Sequence, residues 1–136
     1  MKKVILLLCS LLVSCGSSHK EAVVEYDYSD VSTHIDWYDS FVQEEDDYLV
    51  YYYSETCSHC NSIKQQVIRY YLSEKEPMYF VNTNLNSKFG PVKELSGIND
   101  IDSFYIFGTP FLLRVKEHMV SDYYPGTKKI LEYLKQ

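Results

Sequence analysis

The sequence predicts an α/β fold in which a central mixed β-sheet is flanked by helices. Three observations carry this prediction. An apolar run at 48–53 is followed by a helix-like run at 61–72 and a second apolar run at 78–82, the order of a parallel strand–helix–strand unit. Two more apolar runs near the C-terminus predict a β-hairpin before a last helix. A pair of cysteines, Cys57 and Cys60, lies where the first strand gives way to the first helix.

Composition and charge limit the classes of protein that fit. The chain has 136 residues, of which 46% are hydrophobic and 24% are charged, which suits one globular domain with a short appendage. The net charge of −6 argues against nucleic acid as a partner, because phosphate backbones are bound by basic surfaces.

Residues 1–14 predict a signal peptide. Two lysines precede an apolar run at 4–13, which is too short to cross a bilayer because a spanning helix needs about 20 residues. The run ends in Leu12-Val13-Ser14-Cys15, which resembles the bacterial lipobox. That resemblance implies that Cys15 carries lipid and is the first mature residue. The alternative is ordinary signal cleavage near Ser14 or Gly16.

The residues between this segment and the first strand predict less. Polar residues 15–30 predict a tether, with a loosely alternating stretch at 22–28 as a candidate edge strand, and the main domain is expected at 31–136. Apolar residues at helical spacing predict a helix over 32–43 with Ser32 or Thr33 as its N-cap.

The middle of the chain predicts two buried strands joined by a helix. Residues 48–53 are apolar at every position, as expected of a central strand covered on both faces. Pro77 ends the helix, and 78–82 forms the next strand. Residues 84–104 carry weaker signals, with breaks at Gly90-Pro91 and Gly97, and the stretch from Val92 to Leu95 is the candidate for a connecting helical turn.

The C-terminal third predicts a hairpin and a helix. Residues 111–115 and 119–124 form the two strands around a polar turn at 116–118. Thr127 is the expected N-cap of the last helix, whose buried face would carry Ile130, Leu131 and Leu134.

Cys57-Ser58-His59-Cys60 predicts a redox dithiol. N–H groups without partners and the helix dipole favour a thiolate on Cys57, while Cys60 lies one turn further on and close enough to form a disulfide. We expect Cys57 to attack and Cys60 to resolve. A zinc site would need two more ligands, and a purely structural disulfide across so short a loop would add only about 2 kcal/mol.

With these motifs, residues 32–136 resemble a thioredoxin-fold protein. The likeness rests on Cys57-Ser58-His59-Cys60 after a strand and on Tyr105-Ile106-Phe107-Gly108-Thr109-Pro110 before the hairpin. It implies a cis proline at Pro110 that faces the dithiol. It also implies substrate binding by Thr109 and Pro110, with the Thr109 backbone pairing with an extended substrate.

The chain also departs from the pattern of the cytosolic thioredoxins. Thr56 stands where they carry a tryptophan, and Tyr51 stands where they carry a buried aspartate that is thought to relay protons. Ser58 and His59 lie between the cysteines, and a histidine before the second cysteine is shared with DsbA-like oxidants and protein disulfide isomerases. Ser58 and His59 are therefore candidate residues for tuning the thiolate.

The resemblance implies an extracytoplasmic thiol–disulfide oxidoreductase that Cys15 anchors to the bacterial cell membrane. The expected partners are exported proteins with thiols or disulfides, a membrane redox partner and the bilayer itself. No cofactor is expected. The alternatives are a redox-inactive thioredoxin-like module that serves an export system and a copper(I) metallochaperone. Whether the protein would oxidise, isomerise or reduce its substrates stays open.

Overall fold

The computed structural model describes Gly16 and residues 21–136. The predicted signal peptide at 1–14 and the predicted lipid attachment at Cys15 lie outside the described residues. The strands are β1 (Asp47–Tyr53), β2 (Met78–Asn82), β3 (Phe111–Lys116) and β4 (Met119–Pro125), and the helices are α1 (Ser58–Leu72) and α2 (Gly126–Leu134). Short 3-10 turns at Tyr28–Asp30 and Trp37–Asp39 precede β1. In the described part of the chain, no helix is both long and apolar enough to span a membrane.

The strands form one mixed sheet in the order β2-β1-β3-β4. β1 runs parallel to β2 and antiparallel to β3, and β3 and β4 form the predicted hairpin. Every residue from Tyr48 to Tyr53 is buried, because both faces of β1 are covered. The predicted α/β fold with a central mixed sheet is confirmed.

Side chains of β1 alternate between two cores, as the two-residue period of a strand requires. One core lies under α1 and α2, and the other lies on the opposite face of the sheet. The first contains Leu49, Tyr51 and Tyr53, and the second contains Tyr48, Val50 and Tyr52.

The prediction of a helix over 32–43 is wrong. The N–H of Ile35 donates to the carbonyl of Phe80, and the N–H of Phe80 donates to the carbonyl of Thr33, so this stretch is extended beside β2. The one helical turn in this stretch is the 3-10 turn Trp37–Asp39, and its N-cap is Asp36 rather than Ser32 or Thr33. The spacing that looked helical places Trp37 and Phe41 in the second core.

The expected connecting helix between β2 and β3 is also absent from the described residues. The segment 83–110 consists of turns and one isolated bridge between Phe89 and Ile106. Gly90 lies so close to the ring of Tyr105 that a Cβ there would clash with it, and Pro91 lacks an N–H for a helix. The second core is therefore covered by irregular chain that contributes Leu95 and Phe104.

Two smaller predictions change as well. The candidate edge strand at 22–28 is irregular chain that ends in a turn, and Tyr28 is buried in the first core, so the folded part begins before residue 31. Helix α2 begins at Gly126, with Pro125 as N-cap and no side-chain capping bond. Thr127 lies inside this helix and is not its cap.

Candidate active site

The cysteine pair lies where the carboxyl end of β1 meets the start of α1. Cys57 is the N-cap residue of α1, and its sulfur accepts a hydrogen bond from the N–H of Cys60 at 3.2 Å. A side-chain oxygen usually satisfies this otherwise unpaired N–H, so here a sulfur takes the place of the capping oxygen. Both cysteines are free thiols, Cys57 half-buried and Cys60 fully buried.

The pKa values of the two thiols shift in opposite directions. Partial burial acts to raise the pKa of Cys57. Hydrogen bonds from the side chains of Cys60 and Thr109 and from the N–H groups of Cys60 and His59 outweigh burial, so the pKa of Cys57 is lowered. Burial raises the pKa of Cys60 to about 11, and its hydrogen bond to Cys57 acts in the same direction. Cys57 is thus the more acidic of the two thiols.

The second motif, the segment 105–110 just before β3, lies next to the cysteine pair and forms the other side of the site. The Thr109–Pro110 bond is cis, as the resemblance implied. The Cys57 thiol donates to the carbonyl oxygen of Thr109 at 3.4 Å. The N–H of Gly126, at the start of α2, donates to the carbonyl of Pro110 at 2.9 Å and fixes this segment. A pocket of about 240 Å³ beside it is lined by Phe107, Gly108, Thr109, Pro110, Pro125 and Gly126.

The loops after β1 and β2 are tied together at the rim of the site. The hydroxyl of Ser54 donates to Oδ1 of Asn84 at 2.9 Å, and Nδ2 of Asn82 donates to Oε1 of Glu55 at 3.1 Å. These bonds hold the turn that leads into Cys57. They involve exposed groups, so they restrain the loops without closing the site.

The two residues between the cysteines face solvent. Ser58 and His59 are both exposed, and neither side chain makes a hydrogen bond within the part of the chain that the structure describes. His59 acts on Cys57 through its backbone N–H. A tuning role for either side chain stays a prediction.

The sequence singled out Tyr51 but not Tyr28, whose hydroxyl lies 3.5 Å from that of Tyr51. Tyr51 occupies the position of the aspartate expected from the resemblance, and Tyr28 reaches it from the segment predicted as a tether. Only the apolar pair Tyr28 and Val31 in an acidic stretch hinted that this segment folds back.

No group of three or more metal-binding side chains lies together among residues 21–136. The potential metal ligands at this site are the two cysteine sulfurs. The Cys57 sulfur contacts the N–H of Cys60 and the carbonyl oxygen of Thr109.

Comparison with solved structures finds two thioredoxins with a similar fold. The chain is similar to mitochondrial thioredoxin 3 from Saccharomyces cerevisiae in its oxidized form, with 10% sequence identity, a TM-score of 0.53, and coverage of 79% of this chain and 96% of that chain. It is also similar to thioredoxin f2 from Chlamydomonas reinhardtii, with 13% identity, a TM-score of 0.48, and coverage of 76% and 93%. No protein-family model and no curated protein matches the chain.

At such low identity the similarity establishes the fold, which is thioredoxin-like. A free dithiol at the helix start of this fold supports thiol–disulfide redox chemistry in general terms.

Proposed function

We propose that this protein is a membrane-anchored thiol–disulfide oxidoreductase that acts on exported proteins. The proposal rests on one observation: two sulfurs one helical turn apart lie in environments that shift their pKa values in opposite directions. The pKa of Cys57 is lowered at a half-buried position, whereas the pKa of Cys60 is raised at a fully buried one. A dithiol used for exchange needs one reactive thiolate and one thiol held back until the first has reacted.

The reaction follows from this asymmetry. The Cys57 thiolate attacks one sulfur of a substrate disulfide, a new S–S bond forms, and the other substrate sulfur leaves and takes up a proton. Cys60 then attacks the Cys57 sulfur, and the second substrate sulfur leaves as a thiol. The substrate is reduced by two electrons, and the Cys57–Cys60 disulfide holds the oxidised state. The reverse sequence oxidises a substrate dithiol.

The segment around Pro110 is the proposed substrate-binding edge. The carbonyl of Thr109 already lies within reach of Cys57, so an extended substrate that pairs with this backbone would bring its disulfide to the sulfur. The neighbouring pocket beside Phe107 and Pro125 offers space for one flanking side chain.

Insulin disulfide reduction tests the redox activity. The wild-type chain with dithiothreitol should accelerate insulin precipitation, and the Cys57→Ser variant should match the uncatalysed rate. A wild-type chain that gives no acceleration, and that also fails to oxidise a reduced peptide dithiol, would support the redox-inactive module instead. Titration of the Cys57–Cys60 couple in glutathione buffers then gives the direction, because a potential above that of glutathione favours oxidation of substrates.

Attachment through Cys15 rests on the sequence motif Leu12-Val13-Ser14-Cys15. A mature chain without Lys2 and Lys3 is more acidic than the full chain, so an anionic membrane surface would repel it and attachment depends on lipid. In cells, Cys15→Ala should move the protein from the membrane fraction to the soluble or uncleaved pool. Unchanged lipid labelling of that variant would remove the anchor from the proposal and leave the redox assignment standing.

A further inference from the structure

Two tyrosine hydroxyls lie together in the first core, and one of them contacts the backbone of Cys60. Tyr51 on β1 is fully buried, and Tyr28 reaches it from the N-terminal segment. The Tyr28 hydroxyl lies 3.5 Å from the Tyr51 hydroxyl and 3.4 Å from the carbonyl oxygen of Cys60. The pair therefore reaches the backbone of the residue whose thiol must lose a proton before it attacks.

The segment that carries Tyr28 is fixed to α1. The N–H of Tyr26 donates to Oε1 of Gln65 at 2.9 Å, and Nε2 of Gln65 donates to the carbonyl of Tyr26 at 2.7 Å. Lys64 pairs with Asp27 at 3.3 Å, and its ammonium lies 5.7 Å from the centre of the Tyr28 ring. Helix α1 thus holds both Cys60 and the turn that delivers Tyr28.

Water cannot reach Cys60 to solvate a thiolate, because this residue is fully buried. Asp27 and Glu55, the acids whose charges act on Tyr53 beside the pair, are exposed, and Asp27 is paired with Lys64, so neither supplies a buried carboxylate. The titratable and charged groups around Cys60 and the two tyrosines are Cys57, Tyr53, Asp27, Glu55 and Lys64. The rest of this core is bordered by His34, Tyr26, Tyr70, Tyr71, Glu76, Tyr124 and Tyr133.

We infer that the Tyr28–Tyr51 hydroxyl pair stabilises the Cys60 sulfur as its proton leaves in the resolving step. A phenolic hydroxyl donates one hydrogen bond and accepts others. When Tyr28 turns its proton from the Cys60 carbonyl to the Tyr51 oxygen, the Tyr51 proton is free to point at the sulfur. Burial raises the pKa of both hydroxyls, so they act as donors and stay neutral.

This inference rests on the proposed function, and its step balances. The Cys60 sulfur attacks the Cys57 sulfur of a mixed disulfide, the Cys57–Cys60 bond forms, and the bond to the substrate breaks. The substrate sulfur leaves with the electron pair and takes up the proton that Cys60 releases. The tyrosines contribute hydrogen bonds and neither gain nor lose a proton overall.

A single-turnover reaction with an aromatic disulfide separates the two steps. The chain, with Cys9 and Cys15 changed to serine so that Cys57 and Cys60 are its two thiols, is reduced and mixed with one equivalent of dithiobisnitrobenzoate, whose released thiolate is coloured. Attack by Cys57 gives the first phase, and attack by Cys60 on the mixed disulfide gives the second. Tyr51→Phe and Tyr28→Phe should each slow the second phase about tenfold and leave the first unchanged, because Tyr51→Phe removes the donor to the developing charge and Tyr28→Phe removes the hydroxyl that orients this donor.

The pH dependence of the second-phase rate separates the proposed role from a purely structural one, because a structural role would leave this pH dependence unchanged. Loss of a hydrogen-bond donor destabilises the Cys60 thiolate. The pH at which the rate of the second phase is half its maximum should therefore be higher in both variants. Tyr53→Phe is the matched control. Its hydroxyl bonds Nε2 of His34 at 2.8 Å instead of the pair, so both phases should keep wild-type rates.

The possible outcomes distinguish this inference from the proposed function. A wild-type chain without a second phase would contradict the proposed function. Two normal phases in wild type, with unchanged rates in Tyr51→Phe and Tyr28→Phe, would overturn the role of the hydroxyl pair. Gln65→Ala provides a second route, because it releases the Tyr28 segment and leaves both hydroxyls in the chain. It should slow the second phase, and an unchanged rate would count against the inference.

Discussion

The sulfur of Cys57 lies 3.4 Å from the carbonyl oxygen of Thr109, a residue 52 positions further along the chain. The contact exists because β1 ends beside the start of β3, where Tyr52 pairs with Phe111. Groups that fix the register of these two strands therefore also fix the distance between the dithiol and the proposed substrate-binding edge.

The two cysteines should behave differently in trapping experiments. Cys60→Ser leaves the reactive Cys57 without its resolving partner, so mixed disulfides with protein substrates should accumulate. Cys57→Ser leaves only the buried Cys60, so few or none should form. Non-reducing gels of cell extracts, with the double variant as the blank, measure both. If Cys57→Ser traps partners and Cys60→Ser does not, the assigned roles are reversed.

Glu76 should be important for stability. Its carboxylate accepts hydrogen bonds from the hydroxyls of Tyr70 at 2.5 Å and Tyr133 at 2.6 Å, and it pairs with Arg114 at 3.5 Å. This group therefore joins both helices to the sheet. Glu76→Ala leaves two half-buried hydroxyls without their acceptor and should lower the free energy of unfolding by about 2 kcal/mol.

Urea denaturation measures the effect of Glu76→Ala, with the fluorescence of Trp37, the one tryptophan of the chain, as the probe. Glu132→Ala, at an exposed position on α2, is the control and should stay within about 0.5 kcal/mol of wild type. Equal losses in the two variants would show that the Glu76 network does not bind the helices to the sheet.

Asp47 should make stability depend on pH. Hydrogen bonds from Arg114, at 2.9 and 2.8 Å, lower the pKa of this carboxyl, and Lys116 adds a contact at 3.6 Å. A depressed pKa stabilises the fold above the pKa of the unfolded chain, which is about 3.9. The gain disappears as the pH falls through the lower pKa of the folded state.

Asp47→Asn should therefore cost on the order of 0.5 kcal/mol near neutral pH, a small amount because the pair is partly exposed. The difference from wild type should vanish in acid. Denaturation at several pH values tests this, with Asp46→Asn as the neighbouring control because Asp46 is exposed. A cost that is the same at every pH would assign the effect to packing and not to charge.

The features that sequence alone predicted correctly are local ones. The strand β1, the helix that starts at the cysteine pair and the burial of Ile130 in α2 each depend on a short stretch of sequence, so hydrophobic periodicity was enough to predict them. The helix start that lowers the Cys57 pKa was predictable for the same reason.

The features that sequence missed depend on distant partners. Residues 32–43 look helical, but their backbone pairs with Phe80, 45 or more positions away in sequence, and this pairing overrides the local spacing. Tyr28 joins Tyr51 through the fold of a segment that is mostly polar, so its composition suggested a tether. The hydrogen bond between Glu76 and Tyr133 joins residues 57 positions apart, and no local sequence pattern predicts it.

The pH dependence of alkylation tests the central claim most directly, namely that Cys57 is the attacking thiolate of a redox dithiol. The reduced wild-type chain is treated with limiting iodoacetamide across a pH series, and peptide mass spectrometry assigns the modified cysteine. Cys57 should react first, with an apparent pKa below the value of about 8.5 for a free thiol, and Cys60 should stay unmodified until much higher pH. Faster alkylation of Cys60, or an apparent pKa for Cys57 at or above about 8.5, would contradict the account.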